Sequence, residues 1–380
     1  MFHVLKALVI GTALMAAVVT DSFAAAGCVG FRNPQRVYSV NRAESSGLPT
    51  ALPQGQAIDF VSYIALGQTK SFTLNEYLDS YCVTGLLVLH KGRVVFERYL
   101  QGTGPQDLLL SASMSKTILA LMVGIAVEDG KLRLDESVRD VLPDFATSAF
   151  ADATVEDLLR MTSGVELKVS YERGVVSDNQ STSPIISPHQ NVQQFLRDKR
   201  DLHPAGRVFH YNGAVSAMLG AVLQARTHQT HTQFLQERVW QPMGAEAPAY
   251  WIKNRRGEEG IQGVFAATLR DYARLGLLVM TKGKVGDKQI VPDSWINQMT
   301  TLRLDKPQPR GQPKYGLHIW IPQAADGRSM FLGTNGQAIF IDPIAETVIV
   351  HTANSPQASF DGNAHLYPLR DAIVKVLKTQ

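Results

Sequence analysis

Ser111-Ala112-Ser113-Met114-Ser115-Lys116 runs without a break into Thr117-Ile118-Leu119-Ala120-Leu121-Met122-Val123-Gly124-Ile125-Ala126-Val127. Nearly every position of the second part is apolar, the pattern of a helix surrounded by protein on all sides. Serine at its start can cap it, and Gly130 ends it. A central core helix explains all of this except a lysine in its first turn, because a buried Lys needs a partner or a task. Ser113 and Lys116 stand three residues apart, on one helical face, so the amine can reach the hydroxyl. A serine oxygen is a poor nucleophile until a base takes its proton. Lysine can be that base once desolvation and the positive helix N-terminus lower its pKa. Neither Ser111 nor Ser115 has a Lys three residues on, which leaves Ser113 as the candidate. The spacing alone occurs by chance in a long chain, so its meaning rests on what accompanies it.

Upstream of this stretch, Val83 to Leu89 and Arg93 to Leu100 are β-rich runs joined by His90-Lys91-Gly92, a hairpin pattern. Leu108 to Leu110 is short and apolar. Downstream, helices are expected over Val138 to Leu142, Val155 to Arg160 capped by Thr154, Ala214 to Ala225, Phe234 to Val239 and Thr268 to Met280, the last with an i, i+3, i+4 apolar face. The polar segment from about 168 to 192 is too long for a simple connector and reads as a loop or the rim of a site. Strand signals return at Tyr315 to Ile321, Met330 to Leu332, Gln337 to Asp342 and Thr347 to Thr352, before a closing helix over Leu366 to Leu377. Strands at both ends around a helical middle imply one antiparallel sheet built by both terminal segments, with the helical region inserted into it.

Two further segments carry polar groups suited to a site. Pro204-Ala205-Gly206-Arg207-Val208-Phe209-His210-Tyr211-Asn212-Gly213 delivers an aromatic hydroxyl and an amide to a helix N-terminus. Phe331-Leu332-Gly333-Thr334-Asn335-Gly336-Gln337 precedes the strand Ala338-Ile339-Phe340-Ile341-Asp342. Its glycines permit close approach of backbone to a ligand, so that N–H groups could face an acyl oxygen. Other constellations are absent: no G-x-S-x-G, H-E-x-x-H, G-x-G-x-x-G or G-x-x-x-x-G-K-[ST] occurs, and His228 and His231 read as solvated.

Taken together, the S-x-x-K pair, the segment Thr154-Val155-Glu156-Asp157-Leu158-Leu159-Arg160-Met161-Thr162-Ser163-Gly164, the tyrosine motif, Val239-Trp240-Gln241-Pro242-Met243-Gly244 and the late Gly-rich strand resemble the penicillin-recognising serine hydrolases. The similarity covers roughly residues 80 to 355 and is greatest to the class C β-lactamase-like branch, which includes family VIII carboxylesterases and 6-aminohexanoate-dimer hydrolases. The resemblance implies an α/β fold of the β-lactamase/transpeptidase type, an antiparallel sheet flanked by helices. Residues 27–110 and 250–380 would form the sandwich, and 111–249 the all-helical insertion. It also implies Ser113 as nucleophile, Lys116 as proton acceptor and Tyr211 as second proton carrier. Backbone N–H groups of Ser113 and of the Gly333 to Gln337 segment, Gln337 above all, would bind the oxyanion, with Asn335, Gly336 and Asn212 as further substrate-binding candidates. No metal or organic cofactor is required by that chemistry. Two departures bear on the substrate: Gly213 stands where the family has the Asn of Y-x-N, and no cation precedes Gly333 where the family has K-T-G. Both favour a neutral ester or short linear amide over a β-lactam or D-Ala-D-Ala peptide. A β-lactamase or DD-peptidase is the alternative enzyme, and a non-catalytic penicillin-binding-like scaffold the alternative of another class.

Composition agrees with a small-molecule enzyme. Of 380 residues, 45% are hydrophobic and 19% charged, the balance of a globular chain. Lys and Arg number 37 against 34 Asp and Glu, with no basic block, so nucleic acid is not an expected partner. Lys6, the uncharged run Ala7 to Val19 and the small residues Ala24-Ala25-Ala26 form the three-part pattern of a signal peptide over residues 1–26. The apolar run is shorter than the roughly 18 residues needed to span a bilayer. Export, to a bacterial periplasm, is therefore expected. Cys28 has two readings: Ala25-Ala26-Gly27-Cys28 resembles a lipoprotein cleavage box, which would anchor the protein to a membrane, or Cys28 pairs with Cys82 in an oxidising compartment.

Overall fold

The apolar run Val83–His90 is a strand buried on both faces, which is why its sequence does not alternate. The computed structural model describes residues 28, 32–58, 60–170, 177–322, 326–356, 360 and 362–379; the signal-peptide reading falls on residues outside these. In chain order, the strands of the two main sheets are Val40–Ala43 (β1), Val83–His90 (β2), Arg93–Tyr99 (β3), Leu109–Leu110 (β4), Ala249–Ile252 (β5), Phe265–Ala267 (β6), Lys314–Tyr315 (β7), Trp320–Ile321 (β8), Ser329–Leu332 (β9), Ala338–Asp342 (β10) and Thr347–Ala353 (β11). The helices that matter here are Leu74–Ser80 (α1), Ser115–Glu128 (α2), Val155–Leu159 (α3), Gly213–Thr227 (α4), Leu269–Met280 (α5), Asp293–Thr300 (α6) and Asn363–Leu377 (α7).

The larger sheet has the order β7-β8-β9-β10-β11-β2-β3, antiparallel throughout, so strands from both ends of the chain meet at the β11–β2 pair. The β2–β3 hairpin closes on Lys91 and Gly92, with φ of 50° and 73°, the left-handed pair that a two-residue turn needs to match strand twist. Alternate side chains divide between two cores. Leu87, Leu89, Ile339, Ile341, Val348 and Val350 face a cluster shared with α5, α2 and α4. Leu86, Val88, Phe340 and Ile349 face the other side, against α1 and α7. This period-two split is what places helices on both faces of the sheet.

The helical middle forms as its patterns indicate, with Thr154 capping α3 through a reciprocal capping box with Asp157. The cap expected from the serines before α2 is absent: the chain enters through a 3₁₀ turn, Ala112–Met114, and no side chain caps the helix. Phe234 to Val239 is part α-helix, His231–Leu235, and part π-helix, Gln236–Trp240. The smaller sheet, β1-β5-β6-β4, was not foreseen, because its strands are too short to show a period. Tyr315 to Ile321 is two short strands instead of one, with Tyr315 opposite Trp320 and His318 at φ 54° in the turn between them. Gly316 makes that turn possible, since a Cβ there would lie 2.0 Å from the Met299 carbonyl oxygen. His231 is buried, not solvated: its Nδ1 lies 2.9 Å from Glu259 Oε2 and its Nε2 2.9 Å from the Gly220 carbonyl. Glu259 is distant in sequence, so no local pattern announces the pair. Cys28 and Cys82 form a disulfide, which ties the chain before β1 to the start of β2.

α2 runs through the middle of the molecule with Ser115 to Ala126 all buried. Trp295 of α6 packs directly on its backbone at Gly124, donating from Nε1 to the Ala120 carbonyl at 3.0 Å. A Cβ on Gly124 would fall 2.2 Å from the indole. Overpacking should outweigh the better helix propensity of alanine, so Gly124→Ala is expected to lose about 1–3 kcal/mol in urea unfolding.

Candidate active site

Ser113, just before α2, and Lys116, in its first turn, line the same cavity. Lys116 Nζ lies 2.8 Å from Ser113 Oγ and donates to the Gln262 carbonyl at 2.5 Å. Lys116 is 4% exposed, and burial pushes its amine down to about 7 from the ordinary 10.5. With no carboxylate bonded to it, nothing offsets that cost of burying charge. A neutral amine has two N–H groups and one lone pair. The Gln262 carbonyl takes one of the hydrogens, which helps turn the lone pair toward Ser113.

Ser113 is half-buried and sits in the second position of the 3₁₀ turn that opens α2. Ala112 before it has φ 44°, a left-handed conformation that is uncommon without glycine. The loop after β9 folds over this turn. Gly333 approaches so closely that a Cβ would meet the Ser111 carbonyl oxygen at 2.7 Å and Ala112 Cβ at 2.9 Å. Glycine is required there by proximity, the reason anticipated for this segment.

Tyr211 stands on the far side of Lys116, its ring 5.2 Å from Nζ. The ring rests against Tyr315 and Trp320, with centroids 5.8 and 5.1 Å away. Those two aromatics are placed by the broken strand pair β7–β8 and by His318. Burial pushes His318 down to about 3, against a hydrogen bond to the Leu159 carbonyl and with the nearby Lys116 charge adding to the fall. A neutral imidazole fits its surroundings: Nδ1 donates to the Leu159 carbonyl at 2.8 Å, and Nε2 accepts from the Ser216 hydroxyl at 2.9 Å. Thr117 in turn donates to the His318 carbonyl at 2.7 Å. One histidine thus joins α2, α3 and α4 to the strands that hold Tyr211 in place.

Two cavities meet at Ser113. The larger, about 640 Å³, is lined by Tyr211, Trp320, Gly333, Thr334, Gly336, Gln337 and a set of apolar side chains beyond. The smaller, about 260 Å³, is lined by Lys116, Asn179, Gln180, Gly213, Gln262 and neighbours. The structure therefore gathers Ser113, Lys116, Tyr211, Gly336 and Gln337 at one opening. It turns two candidates away. Asn212 is completely buried and lines neither cavity; its Oδ1 caps α4 by accepting from the Ala214 N–H at 2.7 Å. Asn335, at φ 63°, donates from its side chain to the Ser355 carbonyl at 2.8 Å and likewise lines neither cavity. The Gln337 side chain is committed to the Ala353 carbonyl, leaving its backbone as the part that faces the cleft. Sequence reading missed Asn179 and Gln262. Asn179 accepts from the Gly213 N–H at 2.6 Å, and a Cβ at position 213 would press on it at 2.9 Å. The one available signal was Gly213 itself, whose missing side chain leaves room for a residue from another loop.

A serine beside a buried lysine at the head of a core helix, next to a glycine-rich segment of an antiparallel sheet, fits a serine hydrolase of the β-lactamase/transpeptidase-like fold. Residues 76–372 match the family model described as Beta-lactamase, and the chain belongs to that family. It is similar to the 6-aminohexanoate-dimer hydrolase of Paenarthrobacter ureafaciens, 23% identical over 316 residues that cover 76% of each chain. Among solved structures, a Bacillus anthracis protein designated a 6-aminohexanoate-dimer hydrolase superposes with a TM-score of 0.81 at 22% identity, covering 91% of this chain and 92% of the other. A family VIII carboxylesterase superposes at 0.59 with 16% identity, covering 78% and 93%. At these identities the superpositions speak to fold.

The low value of Lys116 sets two pH effects, one on reactivity and one on stability. Labelling of Ser113 by a fluorophosphonate should accelerate from pH 6 to 8 and then level, following loss of the Lys116 proton near 7. Stability should show the reverse side of the same shift. The unfolded chain binds a proton at this lysine up to about 10.5 and the folded chain only to about 7, so the folded state gains as pH rises between those values. Lys116→Met, which removes the buried amine, should gain stability over wild type most strongly at pH 7 and below, with the difference shrinking toward pH 10 in urea titrations.

Proposed function

We propose that this hydrolase cleaves carboxylic esters or short linear amides through an acyl-enzyme on Ser113. The observation that carries the reading is the 2.8 Å approach of a buried, low-pKa Lys116 amine to Ser113 Oγ inside an open cleft. Lys116 takes the Ser113 proton as Oγ bonds to the acyl carbon and the carbonyl oxygen becomes an oxyanion. The oxyanion is held by backbone N–H groups of Ser113 and Gln337. The opening turn of a helix leaves its N–H groups without intrahelical acceptors, and the Gln337 N–H has only a long contact, 3.4 Å, to the Thr334 carbonyl. Collapse expels the alcohol or amine, which receives a proton by way of Lys116 and Tyr211. Water then attacks the acyl carbon, giving its proton back along the same groups and releasing Ser113 and the acid.

Substrate preference follows from what lines the cleft. Among the described residues, neither cavity presents an Arg, Asp or Glu, and Lys116 is the one lysine. A carboxylate such as a β-lactam carries would have no cation of its own. The Cys28–Cys82 disulfide supports a protein exported to an oxidising compartment such as the periplasm, with Cys28 unavailable to a lipid.

One assay panel tests this reading: p-nitrophenyl butyrate, a chromogenic cephalosporin and the 6-aminohexanoate dimer, each with wild type, Ser113→Ala and Tyr211→Phe. Ester or amide turnover is expected in wild type, with none in Ser113→Ala and a loss of roughly 100-fold or more in kcat for Tyr211→Phe. Turnover that survives Ser113→Ala would exclude the mechanism. Cephalosporin turnover above ester turnover would make it a β-lactamase, and silence on all three a scaffold.

A further inference from the structure

Among the described residues, Ser113, Tyr211 and Thr334 are the ones that line both cavities. An acyl carbon at Ser113 Oγ would border both cavities, and the two differ in size. The larger continues from Trp320 and Leu332 to Phe340, Phe360, Leu366 and Tyr367, aromatic and aliphatic walls supplied by the larger sheet, the first turns of α7 and Phe360 before it. Its volume, about 640 Å³, is in the range that encloses a drug-sized molecule. Its described lining holds no Lys, Arg, His, Asp or Glu. The smaller, about 260 Å³, combines Asn179, Gln180 and Ser183 with the apolar side chains of Ala112, Ile186 and Val264. Asn179 is held by its Oδ1 on the Gly213 N–H, which leaves its NH₂ group for a ligand acceptor. The one lysine in its described lining is Lys116, whose Nζ is already engaged with Ser113 and the Gln262 carbonyl.

We propose that the cleft selects an uncharged, asymmetric substrate, with a bulky apolar arm in the cavity walled by Trp320, Phe340 and Phe360 and a short arm in the cavity at Asn179 and Gln180. The proposal rests on the hydrolase reading and adds the substrate class to it. The physical basis is differential burial. An apolar arm leaves water for apolar walls, whereas a charged arm in the same place loses its hydration without gaining a partner. Each methylene matched to such a pocket changes specificity by roughly 10-fold or more, which makes the asymmetry measurable.

The test uses two matched series. Methyl esters of acids growing from acetate to octanoate and naphthoate vary one arm; acetates of alcohols growing from methanol to octanol and naphthylmethanol vary the other. The proposal expects kcat/KM to rise at least about tenfold along one series and to stay level or fall along the other. A terminal carboxylate or ammonium on the favoured arm should cancel the gain. Asn363→Trp, at an exposed position in the first turn of α7 that borders the large cavity, should shrink the ratio of bulky to short substrate turnover. Equal responses in the two series, or charged arms accepted as well as neutral ones, would overturn the inference while leaving the hydrolase intact. Failure to hydrolyse any ester, together with no fluorophosphonate labelling at Ser113, would instead remove the hydrolase reading and this inference with it.

Discussion

The burial of one amine organises this protein. Lys116 sits in the first turn of a helix whose next ten residues are all buried, and its Nζ has a serine hydroxyl and a backbone carbonyl as hydrogen-bonding partners. An ammonium in that position would lose its hydration without a counter-ion, so the neutral form is favoured near physiological pH. The arrangement costs stability and leaves an amine that can take up a proton near neutral pH. It also dictates what surrounds it. A carboxylate close to Nζ would hold the proton on the amine, and both polar contacts of Nζ are uncharged oxygens.

Around that amine the chain is drawn together by groups far apart in sequence. Gln262 comes from the segment before β6, His318 from the turn between two short strands, and Gly333 from the loop after β9. His318 does the most to connect them, with one ring nitrogen on Leu159, the other on Ser216 and its carbonyl on Thr117. Kept neutral by burial, it joins three helices without adding a charge beside Lys116. Tyr315 and Trp320 pack against the Tyr211 ring, which lies 5.2 Å from Lys116 Nζ. Backbone strain at Ala112 and the absence of a side chain at Gly333 are the local consequences of packing a loop onto the turn that carries Ser113.

Much of the fold was legible wherever a single element carries its own period. The amphipathic α5, the capping box at Thr154 and the Lys91-Gly92 hairpin all form where the residues indicate. Strands buried on both faces were recognisable as continuous apolar runs. Legibility failed where the determining contact is remote. The four-stranded sheet is made of strands of two to four residues, too short for alternation to register. Tyr315 to Ile321 has the composition of one strand and folds as two, because Gly316 lies against Met299 and His318 is claimed by Leu159. His231 resembles a surface histidine until Glu259 arrives from the other side of α4.

The sequence by itself set Ser113 and Lys116 three residues apart at the head of an apolar run, close enough for the amine to reach the hydroxyl. Only the tertiary structure decided the shape of the site. Which amide borders the nucleophile, Asn179 in place of Asn212, depends on a glycine in one segment making room for a side chain in another. Whether Asn335 faces a ligand or the Ser355 carbonyl depends on a left-handed turn that the residue type permits and does not require. The division of the cleft into a large cavity and a small one arises from α7 and residues 177–187, which no spacing relates to Ser113. Helical periodicity acts over one turn and is written in adjacent residues, whereas a cavity is the space left when remote elements pack.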